Sequence, residues 1–488
     1  MAISFLSVPT NLRVPGAYAE FDPSHAMRGL VMMPYKVLVF GQLLATGTKD
    51  ADTLLRVTNA SDARAWFGPG SQLAHMLETH FANNTFTETY AVGLDDDGSA
   101  VAATGTIALT GTATAAGTLS VWLGGRRVRL AVASGDTAAE VATALAAAIN
   151  ADTDLAVTAA ADSGTVTVTA RNKGLCGNDI DIRLNYYSDE ATPAGISAAI
   201  TAMASGATNP DISGLIALLG DEWFNILTCP YTDAANLTAL ETELAERWGP
   251  LRQIEGHAIA AAKGTHSALG ILGDSRNSPH LTIMDAHDSP TPPWQWAAGV
   301  AAVGAYYGNI DPARPFQTLP VSGLLPELET ARFTIEERNL LLFDGISTHT
   351  VDAGGVVRVE RLITTYKTDA YGTADTSLLD ANTVLTLGYI RYDLRASMLS
   401  RYPRHKLADD GTRFGAGQAV ITPSDGKAFA VERFRKWELV GLVEGFSQFK
   451  NDLIVERNAT DPNRLDWLLP PDLVNQLRVH GVQIQFLL

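Results

Sequence analysis

Apolar positions along the chain recur with two different periods, and the places where the period changes divide it. Lys36-Val37-Leu38-Val39-Phe40 is a short apolar run closed by Gly41, which predicts a buried strand. Helices are predicted over residues 60–67, capped by Asn59 or Ser61, and over residues 71–81, where Leu73, Met76, Leu77 and Phe81 fall on one face. Residues 87–94 read as the next strand. Further on, strands predicted at 224–228, 257–261 and 281–284 alternate with helices at 233–248, 267–274 and 294–308. That alternation predicts a mostly parallel sheet flanked by helices.

A different pattern interrupts this one. After Asp95-Asp96-Asp97-Gly98, residues 99–171 are rich in Ala, Thr and Gly and read as five short strands around one helix. Gly124-Gly125 between two alternating runs predicts a tight hairpin. Thr137 followed by Glu140 predicts a capping box ahead of the Ala-rich helix. Alternation at residues 178–187 is expected to resume the parent domain.

Past residue 346 the order changes again. Strands are predicted at 346–350, 356–359 and 363–366, a long helix at 380–402, a helix within 427–439, strands at 440–449 and 453–456, and a short helix at 471–478. The expected fold class is therefore α/β and α+β multidomain. A parallel-type α/β core domain occupies residues 21–98 and 172–345 as a discontinuous unit, with an inserted β-rich α+β domain at 99–171. A C-terminal α+β domain covers 346–480, and extended arms lie at 1–20 and 481–488.

Both ends are read as arms for a physical reason. Residues 1–20 carry apolar Ile3, Phe5 and Val8, while Pro9 and Pro15 forbid a helix through them. At the other end Val482, Ile484 and Phe486 alternate with Gln483 and Gln485, the pattern of a strand with one apolar face. Each segment is suited to adding itself to a sheet edge on another molecule. A chain that donates such a segment and also accepts one makes a heterologous contact, which propagates as a helical polymer when it does not close. Folding back onto the same chain is the alternative reading of both ends.

Composition narrows the functions. Of 488 residues, 46% are apolar and 18% charged, a globular balance. The net charge of −17 is concentrated: residues 91–330 hold 11 basic and 26 acidic side chains, against 6 and 7 before them and 19 and 20 after. Such an acidic middle repels phosphate backbones and anionic lipids, so no nucleic acid partner is expected. The first ten residues lack the basic segment and apolar core of a signal peptide, and the apolar stretch at 294–307 is too short to span a bilayer. Cys176 and Cys229 are expected to be buried thiols, not a disulfide framework.

Chemistry is sparse. The chain has no phosphate-binding glycine loop, and the string around Ser275 lacks the closing glycine of a nucleophile elbow. The densest set of candidate ligands is His280, Asp285, His287 and Asp288, at a strand end and the loop after it. A hydrolase or metal-dependent enzyme centred on His280, Asp285 and His287 is thus the alternative of another class. Arg391 and Arg395 lie four apart on one face of the long predicted helix, with Arg401 and Arg404 near its end. They form a basic ridge suited to an acidic partner or, more simply, to solvent.

Three stretches carry a resemblance. They are Ile3-Ser4-Phe5 through Val14-Pro15-Gly16-Ala17-Tyr18; Trp223 through Cys229-Pro230-Tyr231 to Ala297-Ala298, with His280-Leu281 between; and Asp344-Gly345-Ile346-Ser347 followed by Val359-Glu360-Arg361-Leu362-Ile363-Thr364-Thr365-Tyr366. In order and spacing the chain resembles the tail sheath proteins of contractile-tailed phages, most of all the Mu-like group. The resemblance implies a non-enzymatic subunit without cofactor or metal. It would polymerise with itself as stacked rings around an inner tail tube protein, meet baseplate and tail terminator proteins, and contract to drive the tube through a host envelope. It implies a virion tail component assembled in the host cytoplasm, with no membrane insertion. Carried onto this chain, the arms are residues 2–20 and 481–488, the strand that accepts an arm includes Val440, Leu442 and Val443, and Arg391 and Arg395 are candidate tube contacts. Another self-assembling particle component, a tube or capsid protein, is the remaining alternative.

Overall fold

The computed structural model describes residues 33–415 and 417–487. The expected arm residues Ile3, Phe5 and Val8 lie outside the described residues. The chain divides into two compact units, one built from Pro34–Gly388 with the residues from Gln476 on, the other built on Tyr389–Asn475.

The first unit begins with β1 (Lys36–Gln42), in which Val37, Leu38, Val39 and Phe40 are all buried in succession. A strand that is apolar on both faces has to be covered on both, the condition met inside a parallel sheet. β2 (Leu54–Val57), α1 (Ala60–Phe67), α2 (Gln72–Asn83) and β3 (Glu88–Leu94) follow. α1 and α2 start where the side chains of Asn59 and Ser71 accept the N–H groups of Asp62 and Ala74.

The interrupting segment comes next. β4 (Thr104–Gly111), β5 (Gly117–Leu123), β6 (Arg126–Val132), α3 (Ala138–Ala151), β7 (Val157–Asp162), β8 (Thr165–Ala170), β9 (Ile182–Leu184) and β10 (Ile196–Ala204) make two small sheets, ordered β10-β4-β8-β7 and β6-β5-β9. Gly124 and Gly125 join β5 to β6 with φ of 55° and 78°, the left-handed pair that a two-residue hairpin of this twist requires. Thr137 and Glu140 form the capping box of α3. The boundary expected at residue 171 is corrected. β9 pairs with β5 and β10 with β4, so residues up to 204 complete the ladders of both sheets and do not return to the parent domain.

The chain then passes through α4 (Ser213–Leu219), β11 (Ile226–Thr228), α5 (Ala234–Trp248), β12 (His257–Lys263), α6 (His266–Asp274), β13 (Leu281–His287), α7 (Pro293–Ile310), α8 (Ile335–Phe343), β14 (Ile346–Val351) and β15 (Val357–Arg361). Eight strands line up as β2-β3-β1-β11-β12-β13-β14-β15. The pairs from β3 to β14 are parallel, and the two edges, β2 and β15, are antiparallel. α7 lies against β11, β12 and β13 with Trp296, Ala297, Ala298, Val300 and Ala301 fully buried; its many Ala and Gly let it seat close to the sheet. The loop between α7 and α8 runs back over the sheet edge, where Thr318 N donates to Val359 O and Val321 N to Val357 O. β14 and β15, expected in the C-terminal domain from residue 346, belong to this sheet, and the second compact unit is built on Tyr389–Asn475. The strand expected at 363–366 is reduced to one bridge, Ile363 to Asp380.

The last elements are α9 (Ala381–Arg401), β16 (Lys406–Leu407), β17 (Val420–Ile421), α10 (Pro423–Leu439), β18 (Val443–Glu444), α11 (Phe446–Asp452), β19 (Ile454–Arg457), β20 (Leu465–Leu468) and β21 (Asp472–Leu473). In the second unit α10 buries Phe429, Phe434 and Trp437, and the Phe434 ring stacks on Phe449 of α11 at 4.2 Å. Two expectations are corrected. Residues 440–449 are not one strand: Gly441 and Gly445 sit at φ of 77° and 72°, which breaks the run into the two-residue β18 and the helix α11. No helix forms at 471–478; Asp472 and Leu473 pair instead with Glu444 and Val443.

Candidate functional site

Two places carry the residues singled out from the sequence: the C-terminal strands with the segment after them, and the cluster at the end of β13.

At the first, β18 has one ladder neighbour among the described residues, β21, in register Val443↔Leu473 and Glu444↔Asp472. Leu442 and Val443 are buried, while Val440 is half-exposed at the C-cap of α10 and outside the ladder. Of the three expected acceptor residues, therefore, only Val443 lies in a strand. Beyond β21 the last backbone bond into the unit is Val474 N to Leu442 O. Val482, Ile484 and Phe486 are 79%, 83% and 77% exposed, and among the described residues this stretch joins no ladder. An alternating apolar segment held out in water is costly at about 25 cal/mol per Å² of apolar surface, so a partner surface is favoured.

On α9, Arg391 is half-buried and Arg395 exposed, and both already take part in interactions. Arg401 pairs with Glu432 and lies over the rings of Tyr402 and Phe429. The basic ridge is thus partly neutralised within the chain.

The second place does not assemble as the sequence suggested. His280 precedes β13 and its ring packs 5.1 Å from Trp248, whereas Asp285 and His287 close the same strand. Five residues of extended chain put about 16 Å between them, so His280 is not part of the cluster. Its place is taken by His349 of β14 and Glu327 of the α7–α8 loop. His349 Nε2 lies 3.1 Å from Glu327 Oε2, and its Nδ1 faces Asp285 Oδ2 at 3.5 Å. His287 Nδ1 and Nε2 lie 2.8 Å and 3.0 Å from the carbonyls of Gly264 and Ala331, and the ring stacks on Phe333. A cavity of about 180 Å³ is bounded by these groups together with Arg332 and Arg338.

Burial governs the electrostatics here. It pushes the Asp285 carboxyl up, and the His349 charge only partly offsets that. Burial acts the same way on Glu327, but the hydrogen bond and charge of His349 outweigh it and hold this carboxyl below its ordinary value. Burial would depress His349, yet Glu327 and Asp285 together raise it. The imidazolium is therefore favoured between two carboxylates, an arrangement that pins the loop to the sheet. Both nitrogens of His287 face carbonyl oxygens at hydrogen-bond distance, so neither is turned toward an open ligand position. Among the described residues no group of three His, Cys, Asp or Glu is arranged to hold a metal ion. Cys176 and Cys229 are free, buried thiols. His349 and Glu327 lie 62 and 40 positions from His287 and sit in no local motif; only the sheet order brings them to it.

Comparison with known proteins adds three family matches. Models of the phage tail sheath protein beta-sandwich domain, central domain and C-terminal domain match residues 96–205, 205–365 and 373–486. The first interval coincides with the two small sheets, β4 to β10. The chain is 45% identical over 488 residues to the Mu-like prophage FluMu tail sheath protein of Haemophilus influenzae strain Rd, covering 100% of both. Among solved structures it is similar to a sheath tail protein from Desulfitobacterium hafniense (12% identity, TM-score 0.49, 94% of this chain and 100% of that one). It is also similar to one from Listeria innocua (12%, 0.49, 92% and 94%) and to the sheath complex of an extracellular contractile injection system, PVC, in its contracted state (11%, 0.49, 98% and 98%).

Proposed function

The chain belongs to the phage tail sheath family and is a structural subunit of a contractile tail sheath, and from that premise we propose how it polymerises. Copies stack as rings around an inner tail tube, and the C-terminal segment of one copy adds as a strand to the open side of the β18–β21 pair of another. The N-terminal segment bearing Ile3, Phe5 and Val8 acts as the second arm. Two observations support this best: Val482, Ile484 and Phe486 are exposed, and among the described residues β18 and β21 pair only with each other. Main-chain hydrogen bonds would supply attraction, and the alternate side chains would fix register.

Exposed Arg395, with Arg391 beside it, is our proposed contact with the tube; a surface ion contact that is weak and salt-sensitive suits a surface that has to let go. The stroke would draw its energy from subunit contacts, a few kcal/mol per copy on the order of several hydrogen bonds, summed over a lattice held in a kinetically trapped extended state. Baseplate and tail terminator proteins would bound that lattice in the virion tail, assembled in the host cytoplasm.

Removal of residues 482–488 tests the proposal. The truncated chain should stay folded and monodisperse while the full chain forms cylinders under the electron microscope. A truncated chain that builds the same cylinders would refute arm exchange at this end.

A further inference from the structure

The exposed C-terminal segment is not free along its whole length. Between Val474 and Leu487 one charged side chain turns inward: Arg478, whose side chain is 15% exposed. Its Nη2 donates to Asp380 Oδ1 at 2.8 Å and lies 3.5 Å from Asn382 Oδ1 and against Gln476 Oε1. One residue earlier, Leu477 O accepts from Gln317 Nε2 at 3.3 Å. After Arg478 every side chain to Leu487 is exposed.

The acceptors are fixed. Asp380 takes a two-pronged bond from Arg361 at the end of β15, with both contacts at 3.0 Å. Asn382 is fully buried and donates to the carbonyls of Pro312 and Arg314. Two arginines thus share one aspartate on a platform tied to the sheet edge and to the loop after α7. Arg478 Nε and Nη1 are buried without an acceptor among the described residues, so saturated bonding does not explain why the side chain is drawn in. What the contact does settle is geometry: it fixes the point and direction at which the chain leaves the subunit.

We propose that Arg478, through Asp380, is the positioning residue of the C-terminal arm: it confines the outgoing segment to the residues after it, 479–487 among the described ones, and aims it at a second copy of this chain. The inference rests on the arm-exchange reading above. Nine residues from 479 to 487 reach about 30 Å when extended. Without the anchor, one bond among the described residues, from Gln317 Nε2 to Leu477 O, is all that holds residues 475–478, so the arm would explore a larger volume and its effective concentration at the neighbouring edge would drop. Anchoring acts by preorganisation, not by contact with the partner.

The test compares Arg478→Ala with the full chain. In the monomer, brief proteinase K digestion read by mass spectrometry over the stretch after Leu473 should cut the parent chain beyond residue 478 and the variant also between 474 and 478. Sedimentation should show the concentration needed for polymerisation rising about three- to tenfold. Arg478→Gln, close in size, carries the same expectation should the alanine variant fold poorly. An unchanged cleavage pattern or an unchanged polymerisation threshold would overturn the anchor. Neither result bears on arm exchange itself, which stands or falls with the truncation at 481.

Discussion

Arg433 of α10 and Asp393 of α9 face each other with almost no solvent contact: Arg433 Nε donates to Asp393 Oδ2 at 3.0 Å, and the two residues are 4% and 0% exposed. Trp437 Nε1 donates to the same carboxylate oxygen at 2.7 Å. Two charges withdrawn from water are tolerated only as a pair. Removing Asp393 alone leaves the guanidinium stranded, at about 3–5 kcal/mol. Asp393→Ala should therefore lower the urea midpoint of the C-terminal unit, followed by Trp437 fluorescence. The double change Asp393→Leu with Arg433→Met should recover most of that loss, because an apolar pair of similar volume is often no worse than the ion pair. A double variant as damaged as the single one would contradict this account.

The loop between α7 and α8 is held by a titratable pin, and the sign of its pH dependence follows. His349 is raised in the folded protein by Glu327 and Asp285, so its contribution is complete below the unfolded histidine value of about 6.5 and fades as pH climbs through the folded value. Asp285, pushed up by burial, tilts the same way at lower pH. Glu327 is depressed, and its share is lost only as pH drops through that lowered value. Three other buried histidines act oppositely to His349: burial lowers His75 and His80 to about 4 and His257 to about 3, so their neutral forms cost stability once pH falls below about 6.5. Melting curves from pH 5 to 9 should show a maximum. His349→Gln should flatten the alkaline limb, whose slope reaches about 1.4 kcal/mol per pH unit, and leave the acid limb in place. Identical alkaline limbs in the two proteins would exclude the pin.

Local pattern carried the α/β core well and failed where partners are distant. The apolar succession Val37–Phe40 and the apolar stretch inside α7 can only be buried, and both became central elements. β10, Ile196–Ala204, has few large side chains, and its role depends on a ladder with β4 some ninety residues earlier, so no window on the chain could assign it to the inserted sheets. The apolar run at 440–449 reads as a strand because a glycine's left-handed backbone, here at Gly441 and Gly445, leaves no mark in the local pattern. Asp285 and His287 were visible as a pair, two positions apart. The residues that give them meaning, Glu327 and His349, arrive through the sheet order and the returning loop. Arg478 carries no local sign of its role for the same reason, since its acceptor lies 98 positions away.

The alternation at the C-terminus makes the most direct forecast about assembly. In an extended segment Val482, Ile484 and Phe486 point to one side and Gln483 and Gln485 to the other. If that segment joins a sheet on a neighbour, the three apolar side chains move together from water into the partner's core. Each is worth about 1.5–3 kcal/mol on full burial. Ile484→Ser should then raise the polymerisation threshold by about ten- to a hundredfold, since each 1.4 kcal/mol is a factor of ten. Gln483→Ser and Gln485→Ser, on the solvent side, should change it less than about twofold. Moving the apolar set by one position, with Gln at 482, 484 and 486 and Val, Ile and Phe at 483, 485 and 487, should abolish polymerisation though composition hardly changes, because a one-residue slip turns the apolar face outward. Sedimentation of the purified chains reads all of these, and equal sensitivity on the two faces would show that the segment does not bind as a strand.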